Sequence, residues 1–148
     1  MGGAVVVSHT LQRADQFNHR EKITVISQAH KEFASHQMAL HAGSALLMQP
    51  RNCDTRPGVS LALSYLKFLD PDAIVIILPS DHFIFPAQRF RRLVNSSVSA
   101  LTNHSDQFIL LGVLPSTPET ECGWVQPGSR VDRLHGLPEQ HLDRICIG

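Results

Sequence analysis

Neither sign of charge is in excess in this chain: thirteen Lys and Arg side chains balance thirteen Asp and Glu. There is no basic stripe of the kind that tracks phosphate backbones, so nucleic acid is not an expected partner. There is no acidic tail either. The longest uninterrupted apolar run is far too short to span a bilayer, so no membrane association is expected. The apolar patch Ala4 to Val7 has neither a basic leader nor a long hydrophobic region, which argues against a signal peptide and for a cytoplasmic location. Cysteines are few and odd in number (Cys53, Cys122 and Cys146). Wide spacing and the absence of Cys-x-x-Cys point to a reduced compartment rather than a disulfide framework. Nine histidines are scattered without the close spacing of a zinc site. No Gly-x-Gly-x-x-Gly follows a strand pattern, which argues against a dehydrogenase. Internal repeats and low-complexity segments are absent.

What is present is an ordinary globular composition. At 148 residues, 43% hydrophobic and 18% charged, the chain can form one domain around one core. Lys22–Ser27 is rich in β-branched residues and reads as a strand. The stretch from His30 to Leu40 reads as a helix, and Ser44–Gln49 as a second strand. Gly58 to Leu69 suits a largely buried helix, with apolar residues at Val59, Leu61, Leu63, Leu66 and Leu69. The turn Asp70-Pro71-Asp72 then leads into Ala73 to Leu78. This unbroken apolar run reads as a strand covered on both faces, as in a parallel sheet flanked by helices. Pro86 fits the first turn of a helix running to about Leu101, with Phe90, Leu93, Val94, Ser97 and Leu101 on its inner face. Phe108 to Val113 reads as a fourth strand, and a short extended piece follows near Val125. Val5 to Asn18 looks helical. The order βαβαβαβ predicts an α/β layered fold with right-handed crossovers.

Three polar loops follow three of these strands: Gln49 to Pro57, Pro79 to Phe83, and Pro115 to Gly123. In parallel sheets ligands bind beyond the carboxyl ends of the strands, so loops gathered there could grip a ligand from several sides. Each loop alone has a plainer explanation. Asp81 could be a turn former or a helix cap, and His82 a hydrogen-bonding histidine at the edge of the core. Asp54 and Thr55 could simply cap the next helix. Cys53 lacks a readable His and Asp partner and is better read as a small packing residue than as a nucleophile. Trp124 could pack in a core or, beside Gly123, line a sugar pocket. Gly112 would admit a ligand or another backbone closely.

Taken together the loops carry a resemblance. Gln49-Pro50-Arg51-Asn52-Cys53-Asp54-Thr55-Arg56-Pro57-Gly58-Val59 resembles the Glu/Gln-Pro-x-x-Arg-Asn/Asp-Thr-Ala-Pro-x-Ile loop of mannose-1-phosphate guanylyltransferases. Leu78-Pro79-Ser80-Asp81-His82 is similar to that family's Pro-Ser-Asp-His motif. The stretch from Leu111 to Val125 is similar to its Gly-Ile-x-Pro-Thr-x-Pro-Glu-Thr-x-Tyr-Gly-Tyr-Ile segment. The resemblance runs from roughly Leu11 to Gly128, leaving residues 129–148 as a divergent tail. It implies a Rossmann-like three-layer α/β sandwich with a mostly parallel sheet, of the nucleotide-diphospho-sugar transferase type. It also implies Mg²⁺-dependent transfer from GTP to a sugar-1-phosphate, mannose-1-phosphate by family default. Asp81 would be the catalytic metal ligand. Gln49, Asp54, Thr55, Pro79 and Ser80 would bind the nucleotide, and His82, Gly112, Gly123 and Trp124 the sugar.

The departures from the family pattern carry expectations of their own. The family opens with a strand and a Gly-Gly-x-Gly-x-Arg-x-x-Pro loop whose backbone N–H groups embrace the triphosphate. Gly2-Gly3 is not that loop. No Phe-x-Glu-Lys-Pro motif occurs in the tail. Cys53 and Cys122 stand where the family usually has Arg and Tyr. The expectation is a partial nucleotidyltransferase domain over residues 1–148, incomplete at both ends and inactive alone. The other reading is a non-catalytic binding or regulatory module derived from the same fold. A sheet lacking its first strand would leave apolar surface uncovered, so self-association is expected.

Overall fold

The computed structural model describes residues 3–32, 34, 44–104, 106–114, 117, 120, 123–126, 128 and 144–145. They fall into two compact units, residues 1–85 and 86–148.

In the first unit, helix α1 (Gly3–Ala14) is followed by strand β1 (Lys22–Ser27), strand β2 (Ser44–Gln49) and helix α2 (Thr55–Leu69). The end of α1 tightens through Gln16 N–H to Arg13 O and Phe17 N–H to Ala14 O, and Phe17, like Leu11 and Thr10, is buried. Strand β1 follows from Ile23, Thr24, Val25 and Ile26, whose branched side chains suit a pleated surface. Its first residue, Lys22, is buried and pairs with Asp15. Strands β1 and β2 run parallel in the register Lys22↔Ser44 to Ser27↔Gln49. Both strands have the boundaries the sequence predicts. Of the helix expected over His30 to Leu40, Lys31, Glu32 and Ala34 are helical, and the remainder lies outside the described residues.

Helix α2 starts three residues earlier than Gly58, because Asp54 caps it by accepting from Thr55 N–H at 2.9 Å. It ends where Asp70 turns extended ahead of Pro71, with Asp70 N–H still reaching Leu66 O at 2.8 Å. The helix is not largely buried, as its composition suggests; Gly58 alone is buried, and Phe68 is 86% exposed. The apolar residues recur at steps of two and three rather than three and four, so they spread around the helix. A two-stranded sheet can cover only one side of it.

The apolar run Ala73 to Leu78 is not a strand in this structure, and neither is Phe108 to Val113. A strand requires a ladder as well as a pattern. Among the described residues the parallel sheet contains only β1 and β2, and the backbone of Ile74 to Leu78 makes no hydrogen bond. Ile74, Val75, Ile76 and Ile77 are correspondingly exposed, Ile77 by 57%. The expected βαβαβαβ order therefore reduces to an α/β arrangement with one small parallel pair.

In the second unit, helix α3 (Ala87–Asn103) has Pro86 at its N-cap rather than in its first turn, and the Pro86 carbonyl accepts from Arg89 N–H at 3.1 Å. Val94, Ser97 and Ala100 form its buried stripe, close to the inner face expected from the sequence. Ser97 Oγ donates to Leu93 O at 2.9 Å, which lets a hydroxyl sit in that stripe at little cost. Val125–Gln126 (β3) pairs antiparallel with Arg144–Ile145 (β4), and β3 is the short extended piece expected there. Among the described residues no helix is long and apolar enough to cross a membrane.

Candidate functional site

Two of the three motif loops lie in the first unit, and each is held by a different element. The first loop leaves β2 at its carboxyl end. Gln49 is the last residue of β2, lies opposite Ser27 and is buried. The first turns of α2 pack on it closely. A Cβ built on Gly58 would lie 3.3 Å from Gln49 Nε2 and 3.7 Å from Val25 Cγ1, so the helix start sits on the strand ends with room for a methyl group only if the Gln49 amide gives by a few tenths of an ångström. Between them Asp54 has φ 72° and ψ 179°, a backbone conformation that residues with a Cβ rarely adopt. Asn52 Oδ1 accepts from Asp54 N–H at 3.1 Å, and Asp54 Oδ1 accepts from Thr55 N–H. These two local bonds fix the loop's backbone at the helix start, where Asp54 and Thr55 are exposed. Cys53 is half-buried and is a free thiol.

The second loop, Pro79 to Phe83, forms a turn at Ser80-Asp81 and has no backbone–backbone hydrogen bond among the described residues. Helix α1 holds it instead. Thr10 Oγ1 donates to Ser80 O at 3.2 Å, and Arg13 donates to His82 O from Nη1 and Nη2, both at 3.0 Å. Pro79, Ser80, Asp81 and His82 are all exposed. Asp81 makes no hydrogen bond or ion pair among the described residues. The turn therefore presents a carboxylate to solvent, but it does not extend from a strand end as the apolar run before it suggests. Among the described residues no hydrogen bond joins this loop to the Gln49–Thr55 loop.

The third loop belongs to the second unit. Gly112 and Gly123 are exposed, and among the described residues no atom would lie within 4 Å of a Cβ added at either. Among the described residues nothing makes the close approach that Gly112 would admit. Trp124 is half-exposed, immediately before β3. Much of Pro115 to Cys122, including Cys122, lies outside the described residues. Among the described residues no three His, Cys, Asp or Glu side chains gather as a metal site.

Thr10 and Arg13 are the residues that reading the sequence passes over. Their i, i+3 spacing places them together on one helix face, and Arg13 Nη2 does donate to Thr10 Oγ1 at 2.7 Å. Their partners lie about seventy residues away, and no local signal names them.

A scan against protein-family models gave no match, and a search of solved structures gave none. Curated proteins do match. The chain is 29% identical over 140 residues to the alginate biosynthesis protein AlgA of Pseudomonas syringae pv. tomato, covering 93% of this chain and 28% of that protein. It is 24% identical over 123 residues to a putative mannose-1-phosphate guanylyltransferase of Vibrio cholerae serotype O1, covering 82% of the chain and 26% of the relative. To the mannose-1-phosphate guanylyltransferase of Escherichia coli it is 22% identical over 128 residues, covering 83% and 27%. The chain spans about a quarter of the length of these curated relatives. The resemblance carried by the Gln49, Pro79 and Leu111 loops is thus matched along most of the chain by similarity to a segment of mannose-1-phosphate guanylyltransferases.

Proposed function

We propose that this chain carries part of the nucleotide- and sugar-binding core of a mannose-1-phosphate guanylyltransferase. The observation that carries the reading is the coincidence of three motif loops in family order with similarity to proteins of that name along most of the chain. In that reaction a phosphate oxygen of mannose-1-phosphate attacks the α-phosphorus of GTP. The bond from that phosphorus to the α,β-bridging oxygen breaks, and pyrophosphate leaves with the electron pair. Gln49, Asp54, Thr55, Pro79 and Ser80 would face the nucleotide, and His82, Gly112, Gly123 and Trp124 the sugar. The finer architecture, a Rossmann-like three-layer sandwich, and a cytoplasmic location belong to the same proposal.

The donor set on this chain fits Mg²⁺ in one way. Mg²⁺ is commonly held by one or two carboxylates, with waters and substrate phosphates completing the octahedron. Among the described residues Asp81 is an exposed carboxylate without a hydrogen-bond or ion-pair partner, which suits that mode, and a cage built wholly of protein ligands has no counterpart there. Bound there, the ion would offset charge on the phosphates. The chain's own part is positioning: two loops, one held by α2 and β2 and the other by α1, each presenting exposed polar groups.

The 148 residues contain no Gly-Gly-x-Gly-x-Arg phosphate loop, so we infer that they bind sugar nucleotide without turning it over. The same observation favours a second reading, a binding or regulatory module that has kept the fold and lost the chemistry. Titration calorimetry of the purified chain with GDP-mannose tests the binding claim, and absence of saturable binding into the millimolar range refutes it. GDP-mannose formation from GTP and mannose-1-phosphate by the same chain would refute the inactivity. The reading frame immediately upstream of Met1 separates a piece of an enzyme from a free-standing module.

A further inference from the structure

The turn carrying Asp81 is held from outside itself. Among the described residues the hydrogen bonds that reach Pro79 to Phe85 all come from α1, and they take the carbonyls on either side of Asp81: Ser80 O from Thr10 and His82 O from Arg13. The two donors are coupled, since Arg13 Nη2 also donates to Thr10 Oγ1. The result is one continuous path from guanidinium through hydroxyl to carbonyl, in which each bond polarises the next. Thr10 is buried, so its hydroxyl has little water to turn to if the loop leaves. Arg13 Nε is buried with no partner among the described residues, so this guanidinium is held by its two terminal nitrogens alone. A planar fork reaching one carbonyl twice and a hydroxyl once is a geometry that an ammonium cannot reproduce in full.

We propose that Thr10 and Arg13 are positioning residues for Asp81: α1 clamps the turn on both flanks and so sets where its carboxylate stands. The proposal rests on the reading of Asp81 as a divalent-cation ligand, and it adds to that reading the two side chains that determine the ligand's place. Neither touches the cation or the substrate.

The test uses the full 148-residue chain as wild type and as Arg13→Ala, Arg13→Lys, Thr10→Val and Asp81→Asn. The readouts are backbone ¹⁵N relaxation and Mn²⁺ affinity by paramagnetic line broadening. In the wild type, Ser80 to Phe83 should show order parameters near those of β1, about 0.85, and Arg13→Ala should bring them below about 0.6 while β1 stays unchanged. Thr10→Val keeps the shape but removes two bonds, the one to Ser80 O and the one from Arg13 Nη2, while leaving Arg13's bonds to His82 O, so it should loosen Ser80 more than His82. Mn²⁺ affinity should fall about tenfold in Arg13→Ala and recover in part in Arg13→Lys. A merely structural contact predicts a loosened loop with Mn²⁺ affinity unchanged. Unchanged loop relaxation in both Arg13→Ala and Thr10→Val overturns the clamp. A loosened loop with wild-type Mn²⁺ affinity, where Asp81→Asn has lost it, overturns the positioning role alone. Mn²⁺ binding indifferent to Asp81→Asn overturns the metal reading itself, a pattern distinct from the other two.

Discussion

Replacing Asp54 by glycine should stabilise the first unit, although it removes a helix cap. Asp54 has φ 72° and ψ 179°, a region essentially reserved for glycine, in which a residue with a Cβ carries roughly 1–3 kcal/mol of strain. Glycine removes that strain. Against it stand two losses. An N-cap exchanged for glycine costs only a few tenths of a kcal/mol, and the added freedom of the unfolded chain costs about 0.5–1 kcal/mol. The balance is a gain of about 1 kcal/mol. Asp54→Ala separates the terms, because it keeps the strain and loses the bond to Thr55 N–H. That bond runs to the next residue rather than to the second or third helical N–H, so its loss should sit in the lower half of the usual capping range, about 0.5–1 kcal/mol. The two variants should therefore differ by about 1.5–2 kcal/mol with opposite signs relative to wild type. Urea unfolding followed by circular dichroism should place their midpoints about 1 M apart, with slopes unchanged. If Asp54→Gly proves less stable than Asp54→Ala, the backbone at Asp54 is not strained and the account of this loop fails.

Other substitutions probe other joints. Gly58→Leu should cost about 1–3 kcal/mol by forcing a side chain into the space already held by Gln49 and Val25, while Gly58→Ala should lie near wild type; thermal melts give the order. Asp15→Ala leaves the buried ammonium of Lys22 without its carboxylate and should destabilise by about 1–2 kcal/mol, less than for a fully buried pair because Asp15 is 42% exposed, whereas Lys22→Met should cost less; equal losses would show that the charge is not felt. Ile76→Lys should reduce concentration-dependent association in sedimentation velocity, because Ile74 to Ile77 form an exposed apolar run with no backbone hydrogen bond; a wild-type chain that stays monomeric at high concentration removes the reason for the substitution.

Legibility in the sequence followed the range of the interactions involved. Strands β1 and β2 were readable to the residue, because β-branched side chains in β1 and a short apolar run between polar ends in β2 are local signals. Helix α3 was readable because Phe90, Val94, Ser97 and Leu101 repeat at helical spacing behind a proline. The apolar runs at Ala73 and Phe108 send the same local signal as a strand, yet a ladder needs a neighbour, and the neighbour is not encoded in the run. Asp54 and Thr55 could be read as cap residues, though the positive φ at Asp54 could not, since aspartate is not the residue that such a backbone favours. The polar Pro79-Ser80-Asp81-His82 tip was readable as a motif. That α1 holds its carbonyls was not readable, because nothing near Thr10 or Arg13 refers to residues seventy positions on.

The sequence by itself thus determined strands β1 and β2, the helical stretches of α1, α2 and α3, which loops are polar, and which family those loops resemble. Each depends on residues within a few positions of one another, or on motif order along the chain. The tertiary structure alone decided which apolar segments find a hydrogen-bonded partner, how closely α2 can approach Gln49, and that Asp81 stands on a turn pinned by a distant helix. Those outcomes depend on distances through space, where a hydrogen bond forms within a few tenths of an ångström or not at all.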